Sequence, residues 1–329
     1  MGIDVCLHSK ANVMFKNLLQ LQRHFNNEKV CIEFIEQQRW HGTPDCPHCG
    51  SEHHYRTSTR LKSPELKGYK DFWCKACNKK FTTLTGTIYE SSKVSLQIWL
   101  SAVYLVTAHK KGISSVQLAK DLGVTQKTAW FMNHRIREML KEKMPQALNN
   151  IVEIDETFIG GKHGNMHLSK RAKLKEQNIR GYMDKTPVVG MMERKGKLIA
   201  KVVTAVNQAT LQPLAIENIS KDATIVTDNF WGYRGLDNHF NAHEIINHTY
   251  KEYVRGSVHT NSIEGFWGLF KRSIYGIYHF ASPKHLQRYV DECAYRFNNR
   301  EVSDVERFGL AVERCGNARI TYPTLIDKR

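Results

Sequence analysis

Apolar positions recur at helical spacing over residues 11–40. Phe15, Leu18, Leu19, Leu21 and Phe25 mark one helix, and Val30, Ile32, Phe34 and Ile35 a second ahead of Trp40. Val94–Ala108 reads as one apolar helix. Beyond it, Ala119, Leu122, Val124, Ala129, Met132 and Ile136 predict two further helices packing inward on either side of Gly123. Ser114, with Gln117 three residues on, has the pattern of a capping box, and Thr125 can cap the following helix. This is helix-turn-helix spacing, with Gln126, Lys127, Phe131 and His134 on the outer face of the second helix. Pro145 and Asn149-Asn150 then mark a linker, after which strands appear at Ile151–Gly161, Pro187–Glu193, Leu198–Val206, Ala223–Thr227 and around Glu244–Ile246. Helices are expected at Thr210–Ile219, Ser262–Ile274 and Pro283–Asn299, the last with a core stripe that includes Cys293. Read in order as strand, strand, strand, helix, strand, helix, strand, helix, this half predicts a mixed sheet with helices on it. Lys162–Lys185 is a polar loop whose Lys170, Arg171, Lys173, Lys175 and Arg180 could touch phosphates. Residues 301–329 lack clear periodicity and read as a tail or docking arm.

The expected organisation is therefore an N-terminal helical segment over 1–40, a small module over 41–85, a helical region over 86–148, an α/β domain over 151–300 and a C-terminal tail over 301–329. Composition adds a partner. Forty-eight Lys and Arg against 32 Asp and Glu give +16 over 329 residues, and a positive excess of that size points to a polyanion, nucleic acid before an anionic membrane. The longest apolar run, Val94–Ala108, is interrupted by Ser95, Gln97 and Ser101 and is too short to span a bilayer. With no signal-peptide pattern at the N-terminus, the expected compartment is the cytoplasm, where the eight cysteines would be metal ligands or buried thiols rather than disulfides.

Four of those cysteines form two matched knuckles, Cys46-Pro-His-Cys49 and Cys74-Lys-Ala-Cys77. Each knuckle presents two thiolates from a tight turn, and four thiolates complete the closed tetrahedral site of structural zinc. The expectation is a zinc ribbon with short hairpins between the pairs, which should need its metal to fold. A second chemistry lies in acids set among apolar residues. Ile151–Gly161 carries Glu153, Asp155 and Glu156; Ala223–Asp228 ends on Asp228; and the amphipathic helix of His259–Arg272 carries Glu264. Buried carboxylates are costly without cations, and Asp155, Asp228 and Glu264 could converge on Mg²⁺ or Mn²⁺ to serve phosphodiester chemistry. Strand alternation puts Glu153 on the face of Asp155, so Glu153 and Glu156 stay open as rival ligands. Lys271, two helical turns after Glu264 and followed by Arg272, would face a neighbouring phosphate.

The combination resembles bacterial insertion-sequence transposases of the DDE class, in the group with an N-terminal zinc ribbon. The stretches that carry the resemblance are RWHGTPDCPHCG, KDFWCKACNKKF, TGTIYE, KKGISSVQLAKDLGVTQKTAW, IDETFIGGK, VTDNFWGY, HTNSIEGFWGLFKR and YRFNNR, across most of residues 39–300. The resemblance implies an RNase H-like fold with metal-binding acids at Asp155, Asp228 and Glu264. It also implies binding of transposon ends by the N-terminal modules, donor-strand cleavage and strand transfer into target DNA, in a homodimer or larger synaptic assembly. Some relatives use Asn for the third acid, which keeps Asn261 open beside Glu264. The alternatives are a DNA-binding regulator with an inactive catalytic domain and a nuclease that never joins strands.

Overall fold

The computed structural model describes residues 15–57, 69–161, 165–176, 184–246 and 258–327. The chain divides into two compact units, Met1–Leu140 with Asn299–Arg329, and Lys141–Asn298. Among the described residues no helix is long and apolar enough to cross a membrane.

The first unit opens with α1 (Leu18–His24) and α2 (Glu28–Trp40), capped by the side chains of Asn17 and Asn27. A small antiparallel sheet follows, built of β1 (His54–Arg56), β2 (Phe72–Cys74) and β3 (Lys80–Phe81) in that order. Its core is stacked Phe72 and Phe81 with Trp40 edge-on against both. Then come α3 (Leu96–Ala108), buried on nearly every face, α4 (Ser115–Leu122) and α5 (Gln126–Leu140). Ser114 caps α4 by accepting the Gln117 N–H, Gly123 closes it at φ 65°, and Thr125 accepts the Thr128 N–H at the start of α5. The Gln117 side chain turns along the helix, its amide donating to Asp121 Oδ1.

Two expectations are corrected in this unit. His134 is fully buried, not on the outer face of α5. The second half of that helix is covered all round, and its Asn133, Arg135 and Arg137 are buried as well. Residues 301–329, which lack clear periodicity and read as a tail or docking arm, are not a tail: they form α10 (Asp304–Glu313) and α11 (Tyr322–Ile326), and α10 docks. Phe308 of α10 is buried among Phe15, Phe25, Phe34 and Tyr104, so the two ends of the chain share one aromatic core. The buried face of α10 mixes Arg307 with Phe308, Ala311 and Val312, which blurs its apolar period.

The second unit is a five-stranded mixed sheet. Its strands are β4 (Ile151–Ile159), β5 (Thr186–Glu193), β6 (Leu198–Val202), β7 (Thr224–Asp228) and β8 (Ala242–Ile246), in the order β6-β5-β4-β7-β8. The β6-β5-β4 half is antiparallel and the β4-β7-β8 half parallel. One face carries α7 (Gln208–Asn218), whose Leu211 and Ala215 pack with Val152, Ile154 and Ile225. The other carries α8 (Asn261–Ser273) and α9 (Pro283–Asn298), through Phe266, Trp267, Phe270, Leu286 and Val290. Cys293 is part of that core, as expected. Two 3₁₀ turns, Trp231–Tyr233 and Leu236–Asn238, join β7 to β8 where the sequence order placed a helix. Within the expected polar loop lies α6 (Leu168–Glu176), which buries no described residue and exposes Arg171, Lys173 and Lys175; Arg180 lies outside the described residues.

Candidate active site and metal centre

Alternation along β4 sends Val152 and Ile154 to the α7 face and Glu153 and Asp155 to the α8 face. Asp155 accepts the indole N–H of Trp267 on α8 at 3.0 Å. Gly190 stands directly across from Asp155 in β5, and a Cβ there would fall 2.7 Å from Cζ2 of the Trp267 ring. The glycine is what lets the indole lie against the strand and reach the carboxylate. In the parallel β4–β7 ladder Glu153 pairs with Val226; two residues further along each strand come Asp155 and Asp228. Asp228 ends β7, and its Oδ1 accepts the Phe230 N–H at 3.0 Å. Glu264 lies in the first turn of α8, exposed, with its Oε1 3.3 Å from Thr260 Oγ1.

The neighbouring acids act on Asp155. The Asp155 carboxyl is pushed up from 3.8 to about 7, first by burial, then by the charge of Glu156, with Asp228 and Glu264 adding to it. Burial also raises Glu156, opposed by the Tyr233 hydroxyl that donates to it at 2.6 Å. Carboxylates are hard oxygen donors, of the kind that suit Mg²⁺ or Mn²⁺.

Glu153 behaves differently. It is fully buried, and both its oxygens are occupied by the N-terminus of α8 and by Arg194. Of the two rivals left open by the sequence, Glu153 is held by structural donors and Glu156 by Tyr233, whereas Glu264 keeps its carboxylate exposed. Asn261 is exposed at the first position of α8, and Lys271 and Arg272 are exposed in its last turn.

In the small sheet of the first unit, Cys46, Cys49, Cys74 and Cys77 bring their sulfurs within 4.8 Å of one another. Cys46 and Cys77 are 3.7 Å apart and Cys49 and Cys74 3.6 Å. A tetrahedral site with Zn–S bonds of about 2.3 Å has S···S edges of about 3.8 Å, so the four thiols already match it. The backbone N–H of Cys77 holds the Cys74 thiol down at about 7, which favours its thiolate.

Both units have counterparts among known families. Residues 147–298 match the ISXO2-like transposase domain and residues 26–80 the transposase zinc-ribbon domain. The chain is 28% identical over 254 residues to an uncharacterized protein in transposable element ISH50 of Halobacterium salinarum, covering 75% of this chain and 83% of that one. It is 33% identical over 108 residues to an uncharacterized transposase-like protein of Haemophilus influenzae, covering 33% of this chain and 86% of that one. The chain belongs to the ISXO2-like transposase family. Its zinc-ribbon match and its four clustered thiols together support structural Zn²⁺ in this transposase.

The transposase engages the sequence-predicted DNA-reading residues in ways that spacing did not reveal. Gln126 is exposed, but its amide donates to Ser115 Oγ of α4 at 2.9 Å. Lys127 lies 5.2 Å over the ring of Tyr322 on α11, and Phe131 meets the same ring edge-on. Trp267, Tyr233, Gly190 and Arg194 went without a site role in the sequence reading. The available signal was a glycine inside the strand pattern of Pro187–Glu193, which marks a close approach of something bulky.

Proposed function

We propose that this insertion-sequence transposase binds DNA through its first unit and cleaves and joins DNA strands at Asp155, Asp228 and Glu264. The observation that carries the proposal is placement: Asp155 in a central strand, Asp228 at the end of its parallel neighbour and Glu264 in the first turn of the helix packed over them. The strand order and direction, antiparallel through β6-β5-β4 and parallel through β4-β7-β8 with helices on both faces, support an RNase H-like domain. Divalent cations bound by the three acids would activate the attacking oxygen and stabilise the leaving one. The chain's own residues do the rest: Trp267 orients Asp155, the Phe230 N–H orients Asp228, and Lys271 and Arg272 offer point charges to neighbouring phosphates.

The α4–turn–α5 pair, with Gly123 at its turn and Gln126 and Lys127 exposed at the start of the second helix, supports a helix-turn-helix that reads transposon ends. Double-stranded ends and a target must be held together for strand transfer, which argues for a homodimer or larger assembly. Asp155→Asn, Asp228→Asn and Glu264→Gln should each abolish Mg²⁺-dependent end cleavage and strand transfer while leaving end binding nearly intact. Activity surviving Glu264→Gln but lost in Asn261→Ala would move the third ligand to Asn261. Cleavage retained by all three acid variants would overturn the assignment, and wild-type protein that binds ends without cleaving them would favour a DNA-binding regulator.

A further inference from the structure

A helix that delivers a catalytic group from its first turn needs that turn held still. The side chain that would normally do this is at the N-cap, yet Thr260 makes no capping bond to the helix backbone, its hydroxyl donating to Glu264 instead. The orphan N–H groups of α8 are satisfied from elsewhere. Glu153 Oε2 accepts the N–H of Ser262 and of Ile263, each at 3.0 Å, and Oε1 accepts the Ser262 hydroxyl at 2.9 Å. Arg194, just past the end of β5, donates its Nε to Glu153 Oε1 at 3.0 Å and its Nη2 to the His259 carbonyl at 2.9 Å, which fastens the residue leading into the helix. Glu153 is fully buried, so these bonds form without competition from water.

We infer that Glu153 is a positioning residue for the metal site: it caps α8 from the neighbouring strand and thereby sets Glu264 relative to Asp155. The two carboxylates are connected by a short rigid path. Asp155 lies two residues along the same strand from Glu153, and Glu264 follows Ile263 directly. The negative charge of Glu153 meets both the positive end of the helix and a guanidinium, so the amide of a glutamine would turn donors toward donors. A carboxylate that orients ligands without itself facing the ion is the arrangement whose loss costs metal affinity by about 10- to 100-fold.

The inference rests on the proposed acid triad, and the test separates the two. Mn²⁺ binding to the full chain is titrated by electron paramagnetic resonance, together with hydrogen exchange at the amides of Ser262, Ile263 and Glu264. Wild type, Asp155→Asn and Glu153→Gln are compared. Asp155→Asn should abolish Mn²⁺ binding, leaving the free-ion spectrum, with exchange unchanged; Mn²⁺ bound as in wild type by that variant would sink the triad and leave the capping role to be judged by exchange. Glu153→Gln should weaken Mn²⁺ by about 10- to 100-fold and accelerate exchange at those three amides, with DNA-end binding in Ca²⁺ unchanged. Wild-type Mn²⁺ affinity and unchanged exchange in Glu153→Gln would overturn the inference. If Glu153→Gln fails to fold, Ser262→Ala is read in the same assays: it removes only the hydroxyl bond, so a several-fold loss of Mn²⁺ affinity supports the inference and wild-type affinity overturns it.

Discussion

Asp155 holds its proton far above the usual carboxylate range because β4 carries it under α8, beside three other acids. In the unfolded chain an aspartate ionises near about 3.9. The folded, metal-free protein therefore binds this proton more tightly than the unfolded chain across the interval from about 4 to about 7. Stability from this group is full below that interval and is lost as pH rises through the upper end, by at most about 4 kcal/mol. Urea melts of metal-free protein between pH 4.5 and 8 should show wild type losing stability relative to Asp155→Asn as pH rises, and Mg²⁺ should restore it at the alkaline end; parallel curves would contradict this. Gly190→Ala tests the same locality by shape. The new methyl group must displace Trp267, so it should cost about 1–3 kcal/mol in the same melts and slow cleavage without touching any acid. At this scale the sequence was legible where chemistry is carried by type and spacing. The four cysteines could be named from it, and the acids of the proposed site stand out by the same means. Arg194, Tyr233 and Trp267 could not be named, because their roles depend on which strand end or helix face meets which acid, and periodicity does not encode that.

Among the elements, the small sheet β1–β3 has a core of only Trp40, Phe72 and Phe81 with Cys46, Cys74 and Cys77 among the described residues. In Cys74→Ser, Cys77→Ser protein, zinc content should fall from about one per chain to near zero, and amides of β2 and β3 should lose their exchange protection. Stoichiometric zinc in that variant would mean other ligands. Helix α8 makes a second test. Lys271 is exposed near its end, on the face that also carries Glu264. Lys271→Ala should flatten the salt dependence of DNA binding in Ca²⁺ by about one phosphate contact, and an unchanged slope would return Lys271 to the solvated surface. Most strands and helices follow the hydrophobic period closely. The exceptions have physical causes: α10 buries an arginine alongside its apolar residues, and the β7–β8 connection is built on aromatic side chains in 3₁₀ turns, which have no period long enough to read. His134 was misplaced because its helix is covered on every side in its second half, where an amphipathic reading assumes one wet face.

In the whole molecule, the first unit is discontinuous: Phe308, near the end of the chain, completes a core begun by Phe15, Phe25 and Phe34 near its start. Phe308→Ala should destabilise that unit by about 3–5 kcal/mol and leave the 141–298 unit unaffected, so that thermal unfolding separates into two transitions. A single cooperative loss of both would show that the units do not unfold independently. The discontinuity also sets an order of events during synthesis. The chain leaves the ribosome N-terminus first at about 5–20 residues per second, so the zinc ribbon and α3–α5 emerge well before α10 exists. Residues 141–298 must be translated in between, a delay on the order of ten to thirty seconds. Throughout that interval the aromatic surface of α1, α2 and α3 waits uncovered, and a message cut short anywhere before α10 yields a protein whose first unit is never finished.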